Sequence, residues 1–136
     1  MTRKYLNDLT FQIVGSAIEV HKAIGPGQLE RIYHLCMIEE LKHRGISFIS
    51  EKPITITYKG KELSTDLRCD LLVENCVVVE LKAVQEITPV YEAQVISYIN
   101  QLQVPKGILI NFNCINIFKE GQKTFVNKLF DNLPDG

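Results

Sequence analysis

An apolar stretch of the sequence, RCDLLVENCVVVELKA at residues 68–83, carries charged residues where buried strands are expected. Its runs of Leu and Val predict two strands joined by a turn, yet Asp70, Glu80 and Lys82 interrupt them. A charge is costly to bury unless it is paired or bound to a metal. A single charge would fit an edge strand that is protected against aggregation. Three charges at this spacing need a further explanation.

The relative position of these charges depends on the length of the turn. Side chains at i and i+2 of a strand share a face, so Glu80 and Lys82 point the same way, roughly 6.6 Å apart. If the turn comprises the three residues 74–76, Asp70 lies directly opposite Glu80, about 5 Å away on the neighbouring strand. A two-residue turn would place Asp70 on the other face of the sheet.

Facing carboxylates with a lysine beside them suggest a metal site. Two carboxylates so close repel each other, and one takes up a proton unless a cation lies between them. A divalent metal suits such oxygen ligands, and Lys82 on the same face can orient a water or neutralise charge on phosphorus. The alternative is an ordinary surface ion pair. The same tripeptide recurs as Glu40-Leu41-Lys42 in a helix, where it is only solvated charge.

The rest of the sequence predicts helices and strands of one layered α/β (α+β) domain, residues 1–136. Apolar spacing predicts two helices, 7–24 and 28–44, which the GPG break separates. Thr88 and Pro89 predict the start of a third helix. This third helix covers residues 89–103. Runs of β-branched or apolar residues predict strands near 54–59, 63–73, 77–83, 106–112 and 114–120. A short helix is predicted in the tail.

Composition limits the partners and the compartment. A chain of 136 residues buries enough surface to fold without disulfides or a structural metal. The net charge of −1 excludes a global basic field, so nucleic acid would be held by a local patch or by bound cations. No apolar segment is long enough to span a membrane, and no signal peptide is recognisable. The four cysteines form no CxxC pair, which favours reduced thiols in a cytoplasmic protein.

Two motifs in order resemble a known family. Asp70, followed by Glu80-Leu81-Lys82 on the next strand, resembles the signature of the PD-(D/E)XK nuclease superfamily. The earlier segment GPGQLERIY, at residues 25–33, matches the name-giving motif of the GxxExxY proteins, a branch of that superfamily. EAQVISYINQLQVPKGILINF is similar to the helix and strand that follow in that branch. The likeness covers roughly residues 14–113, although Cys69 stands where the superfamily usually has proline.

The resemblance implies a restriction-endonuclease-like αβββαβ core, with a mixed central sheet flanked by helices and the site at the fork of the central hairpin. In that core Asp70 and Glu80 would be the principal ligands of Mg²⁺ or Mn²⁺. Glu30 would assist metal binding, the Leu81 carbonyl would be a backbone ligand, and Lys82 would be the catalytic lysine.

Four further residues would line the site by their family positions. Gln94 and Tyr98 are four residues apart on one helix face and can act together. Tyr33 is also typical of a core aromatic with its hydroxyl satisfied, and His21 of a core histidine. Glu30 itself has an ordinary alternative as a first-turn acid favoured by the helix dipole.

These features favour a metal-dependent nuclease that cleaves phosphodiester bonds in DNA. The alternative is a non-catalytic module that keeps the fold and binds nucleic acid or a protein. Because the chain is small and nearly neutral, a homodimer or a larger protein partner could supply additional binding surface.

Overall fold

Two long helices precede the strands. A computed structural model describes all of residues 1–136. Helix α1 spans Arg3–Ile24 and starts earlier than predicted because the Thr2 side chain accepts a hydrogen bond from the Tyr5 N–H at 3.0 Å. It ends, as predicted, at Gly25, where a φ of 68° favours glycine. Helix α2 spans Glu30–His43, within the predicted range. None of the helices has the length and apolarity needed to cross a membrane.

Five of the seven strands form one mixed sheet. In chain order the strands are β1 (Phe48–Pro53), β2 (Ile56–Tyr58), β3 (Lys61–Leu63), β4 (Arg68–Val73), β5 (Val77–Lys82), β6 (Lys106–Asn111) and β7 (Gln122–Val126). The central sheet has the order β1-β4-β5-β6-β7, with β5 and β6 parallel and the other neighbours antiparallel. Strands β2 and β3 form a separate two-stranded sheet.

The strand predictions before the turn that joins β4 and β5 are wrong in three respects. Strand β1 was not predicted because most of its residues are exposed and it lacks an apolar run. The predicted strand 63–73 is two strands, since residues 64–67 leave the ladder between β3 and β4. The predicted strand 54–59 is reduced to β2, outside the central sheet.

The C-terminal predictions are also partly wrong. The predicted strand 114–120 contains instead the short helix α4, Ile117–Glu120, because the Asn116 side chain accepts a hydrogen bond from the Lys119 N–H at 2.9 Å. The tail predicted as a short helix holds β7 first and then the short helix α5, Lys128–Asp131. Strand β7 is an edge strand with mainly exposed residues, so its apolar signal is weak.

Helices cover both faces of the central sheet. Helices α1 and α2 pack with one face of β4, β5 and β6 in the larger core, and helix α3, Pro89–Gln101, packs on the other face. Gly107 on β6 allows α3 to approach closely, since a Cβ there would lie 2.5 Å from Val95 Cγ1. This arrangement confirms the α+β, restriction-endonuclease-like fold class.

The antiparallel and parallel pairings bring several element ends to one end of the sheet. Strand β4 begins where β5 and β6 end. The parallel strands β5 and β6 end at the pair Lys82 and Asn111. The β4–β5 pair nearest this end is Leu71 with Val79. This end of the sheet contains Asp70 and Glu80.

Candidate active site at the hairpin fork

The turn between β4 and β5 has the odd length that the carboxylate pair requires. Val73 pairs with Val77, which confirms a three-residue turn. The Cys76 N–H donates to the Val73 carbonyl oxygen at 3.0 Å. Glu74 and Asn75 both adopt positive φ, 51° and 57°, which turns the chain sharply enough for the strands to pair. This register directs the side chains of Asp70 and Glu80 to one face.

The two carboxylates cap the point where the strands separate, which we call the fork. The last main-chain pair is Leu71 with Val79. Beyond it, the Asp70 N–H donates to Glu80 Oε2 at 2.6 Å, and the Leu81 N–H donates to Asp70 Oδ2 at 2.7 Å. Each carboxylate thus accepts a main-chain N–H of the other strand, so the two groups are held side by side.

The Leu81 carbonyl is directed to the same side. The neighbouring Lys82 carbonyl accepts a hydrogen bond from the Phe112 N–H at 2.9 Å and so points toward β6. Because successive residues of a strand direct their carbonyls to opposite edges, the Leu81 carbonyl points toward β4. Its N–H does the same in binding Asp70.

Burial and mutual repulsion favour a proton on this pair. Glu80 is only 3% exposed. Desolvation, and after it the negative charge of Asp70, raises the pKa of Glu80 to about 8. Desolvation also raises the pKa of Asp70, while the Leu81 N–H, His34, Lys82 and a hydrogen bond from Glu80 oppose that rise. Near neutral pH, therefore, the metal-free pair holds one proton.

Lys82 extends from the end of β5 beside the carboxylates. Its charge lowers the pKa values of Glu80 and Asp70 against the effect of burial. Its Nζ lies 4.9 Å from the centre of the Tyr91 ring on α3, close enough for a cation–π interaction. Tyr91 was not predicted from the sequence, because nothing local to PVYEA indicates which way α3 crosses β5.

Helix α2 begins with Glu30 within electrostatic reach of the fork. Desolvation raises the pKa of Glu30, the charge of Lys82 lowers it, and that of Asp70 raises it again. These effects require Glu30 to lie within electrostatic reach of both groups. It is also the first residue of α2, where a carboxylate is favoured by the helix dipole.

His34, which no motif of the sequence identifies, also lies near the carboxylates. Its charge lowers the pKa values of Asp70 and Glu30, and its Nε2 hydrogen bonds with Ser50 Oγ on β1 at 2.9 Å. One signal was available, because His34 is four residues after Glu30 and therefore on the same face of α2.

Gln94 and Tyr98 form the pair that their spacing predicts. Gln94 Nε2 donates to the Tyr98 hydroxyl oxygen at 3.0 Å. Tyr98 is buried on the α3 face with its pKa raised by desolvation and then by the charge of Glu80. The pair thus lies next to the carboxylate on β5.

Tyr33 organises the loop before α2 and is fully buried. Its hydroxyl donates to the Gly25 carbonyl oxygen at 2.6 Å and accepts from the Gln28 N–H at 3.2 Å. Its ring stacks on Phe112 with ring centres 4.3 Å apart. These contacts fix the position from which Glu30 starts its helix.

The structure does not bring His21 into contact with the carboxylates. Its Nε2 donates to the Cys114 carbonyl oxygen at 2.9 Å. The cavity beside it is lined by residues of α1 and of the segment 115–118. The bond to Cys114 satisfies a histidine that is half buried on α1.

Cys69 occupies the position before Asp70 as a neutral thiol. Desolvation, followed by the charges of Glu80 and Asp70, raises its pKa to about 12. It therefore adds no negative charge to the fork near neutral pH. All four cysteines of the chain are free thiols.

No group of three or more His, Cys, Asp or Glu side chains is close enough to bind a metal ion by itself. The chemistry of the two facing carboxylates, both oxygen donors, nevertheless fits a divalent cation that takes its remaining ligands from water and substrate. A cation bound between the carboxylates would replace the proton that the metal-free pair holds.

A family model describing the PD-(D/E)XK nuclease superfamily matches residues 7–125, nearly the whole chain. The chain belongs to this superfamily. Its nucleases generally use divalent metals and act on nucleic acid, so a nuclease-type function is supported in general terms. The comparisons with curated proteins and with solved structures gave no match.

Proposed function

We propose that this protein is a Mg²⁺- or Mn²⁺-dependent nuclease that hydrolyses phosphodiester bonds in DNA. One observation carries the proposal: Asp70 and Glu80 hold their carboxylates together at the fork with Lys82 beside them. A neutral side chain at either position would accept the same main-chain N–H without the repulsion, so stability alone does not explain two buried carboxylates.

The proposed metal ligands are Asp70, Glu80 and the Leu81 carbonyl, with Glu30 assisting from α2. When bound, the ion supplies Lewis acidity at the scissile phosphate and lowers the pKa of a water molecule. Two carboxylates with several waters are a usual set for Mg²⁺, which loses its hydration shell reluctantly. This accounts for a site that has no third acidic or imidazole ligand in direct reach.

Lys82 is the proposed catalytic residue. Its ammonium group acts on the attacking water or on the negative charge that develops on the phosphate oxygens. The Tyr91 ring, 4.9 Å from Nζ, restricts the orientation of the lysine without neutralising it. Gln94 and Tyr98 line the site on the α3 side next to Glu80.

We also assign the chain to the GxxExxY branch. The motif residues Gly27, Glu30 and Tyr33 have related positions in the loop before α2. Tyr33 holds that loop through Gly25 and Gln28, and Glu30 then begins the helix within electrostatic reach of the fork. In this proposal the tyrosine positions the glutamate.

The cysteines and the net charge of the chain support proposals about its compartment and its assembly. Free thiols favour a cytoplasmic protein. With a net charge of −1 the chain has little long-range attraction for DNA. We therefore propose that a second copy or a larger protein partner contributes to substrate binding.

The second candidate is a binding module that keeps the fold without catalysis. The absence of a third acidic or imidazole ligand at the fork favours it. This module would bind nucleic acid or protein without any need for a divalent ion.

Two single substitutions separate these functions. Lys82→Ala should abolish Mg²⁺- or Mn²⁺-dependent cleavage of DNA and keep the rise in melting temperature on addition of the ion, because lysine does not bind the ion. Glu80→Ala should abolish both. Lys42→Ala is the matched control, since Lys42 is the exposed lysine of the other Glu-Leu-Lys tripeptide, on α2.

The nuclease proposal fails if the unsubstituted protein is neither stabilised by millimolar divalent ion nor able to cleave single- or double-stranded DNA or RNA. Stabilisation without cleavage of any of these substrates would support the metal site and exclude independent catalysis by this chain.

A further inference from the structure

The hairpin of β2 and β3, with its flanking residues 55–67, projects from the sheet as an arm. Every residue from Thr57 to Arg68 is exposed. An isolated two-stranded hairpin is only marginally stable in water, and the Tyr58 side chain, 60% exposed, packs against no core. Ile56 packs against the core between the sheet and α3, and beyond it the arm is exposed to solvent.

The base of the arm is nevertheless firmly attached. The Ile54 N–H donates to the Leu67 carbonyl oxygen at 2.9 Å, and Thr65 Oγ1 donates to the Ile54 carbonyl oxygen at 2.7 Å. The Leu67 N–H in turn donates to Thr65 Oγ1 at 3.1 Å. These bonds fix the direction in which the arm leaves the sheet.

The arm leaves the sheet at the end that carries the fork. Its two sides continue directly into β1 and β4, whose last pair is Pro53 with Arg68. Arg68 precedes Asp70 by two residues, about 7 Å along the strand. From Ile54 to the tip at Lys59 the arm can extend about 16 Å, which matches about five nucleotide steps of a duplex.

The tip carries positive charge in a strained turn. Lys59 adopts φ 50° and Gly60 φ 77°. Both central residues of such a turn prefer Asn or Gly, so a lysine at the first of them sacrifices stability. None of the three cations Lys59, Lys61 and Arg68 forms an ion pair in the structure.

The cations and an aromatic ring share the tip. Tyr58 and Lys61 are cross-strand partners and therefore lie on one face, whereas the partners Thr57 and Glu62 lie on the other. Lys59 Nζ is 5.5 Å from the centre of the Tyr58 ring. An exposed aromatic ring between lysines suits a nucleic-acid strand, because the ring can stack on a base while the ammonium groups bind phosphates.

We propose that this arm binds the phosphate backbone of the nucleic acid beside the fork, through Lys59 and Lys61 with Tyr58 between them. The inference rests on the proposed nuclease function and extends it by naming the surface that holds the substrate. The arm as a whole is neutral, because Glu62 and Asp66 balance Lys59 and Lys61. Both lysines nevertheless lie at its tip, and Glu62 is on the face opposite Lys61, so a local basic surface remains on a nearly neutral chain.

The test measures DNA binding without cleavage. In a Lys82→Ala background, the affinity for a fluorescent duplex of about 20 base pairs is measured by anisotropy at several salt concentrations. The arm variant combines Lys59→Asn with Lys61→Gln; asparagine tolerates the positive φ of the turn, so the hairpin is kept while two charges are lost. The control combines Lys42→Ala with Lys128→Ala, which lie at the far end of the sheet.

If each lysine binds one phosphate, each contributes about eightfold to the affinity at about 0.1 M salt. The arm variant should therefore bind up to about 60-fold more weakly, and its salt slope should be shallower by about 1.8, with the control unchanged. Tyr58→Ala should weaken binding to single strands with no change in the salt slope.

Two results overturn the proposal in distinguishable ways. If the arm variant and the control bind DNA equally, with equal salt slopes, the arm is not the binding surface and the nuclease proposal stands. If the Lys82→Ala parent and the unsubstituted protein bind no DNA at all, both proposals fail. Binding of the arm to anionic vesicles alone would likewise exclude nucleic acid as its partner.

Discussion

Replacement of Glu80 by glutamine tests the electrostatics of the fork directly. Glutamine keeps an oxygen that can accept the Asp70 N–H bond, 2.6 Å long in the native protein, and it cannot ionise. The variant therefore changes the charge and leaves the shape and the main hydrogen bond in place.

The magnitude follows from the pKa of Glu80. Burial and the charge of Asp70 raise that pKa from an ordinary 4.5 to about 8 in the folded protein. Because one pKa unit corresponds to about 1.4 kcal/mol, ionisation of Glu80 lowers the free energy of unfolding by at most about 5 kcal/mol. The folded state binds the proton more tightly, so this stability is fully present below pH 4.5 and is lost as the pH rises to about 8.

Urea denaturation of the metal-free protein at several pH values between about 5 and 9 measures the effect. Glu80→Gln should unfold at nearly the native free energy at the acid end. It should be more stable than the native protein by several kcal/mol at the alkaline end. Glu39→Gln, at an exposed carboxylate on α2, should leave the pH dependence unchanged. A constant difference between Glu80→Gln and the native protein across this range would refute the assigned protonation.

Three further outcomes are expected. Added Mg²⁺ should raise the melting temperature more at pH 8 than at pH 6, because the ion must displace the proton of Glu80; thermal melts at both pH values measure this. Tyr33→Phe should lower the free energy of unfolding by about 1–3 kcal/mol in urea, since the Gly25 carbonyl loses its buried partner. Gly107→Ala should destabilise the fold by about 1–3 kcal/mol in the same assay, because its Cβ would meet Val95 at 2.5 Å.

The sequence predicts the fork well because the information there is local. Alternation along β5 determines which residues share a face, and the three-residue turn then fixes the partner of Glu80. The helix boundaries at Gly25 and Pro89 are predicted for the same reason, since they depend on backbone preferences of single residues.

The sequence predicts poorly whatever depends on packing between distant elements. Tyr91 reaches Lys82 only because α3 crosses the sheet at one particular angle. The edge strands β1 and β7 bury little, so they lack the apolar runs by which β5 and β6 are identified. His34 falls between these cases, because its helical spacing from Glu30 is local while its proximity to Asp70 is not.

The carboxylates at the fork contribute to the sheet as well as to the proposed chemistry. Where β4 and β5 separate, the two side chains accept hydrogen bonds from the peptide N–H groups of Asp70 and Leu81 and so satisfy two main-chain donors. The same bonds hold both carboxylates in place before any ion arrives, so metal binding would require little reorganisation of the ligands. Holding the two carboxylates together therefore has two effects: it preforms the metal site, and it destabilises the metal-free protein at alkaline pH through their repulsion. Removing Glu80's charge should improve the fold and abolish the function together.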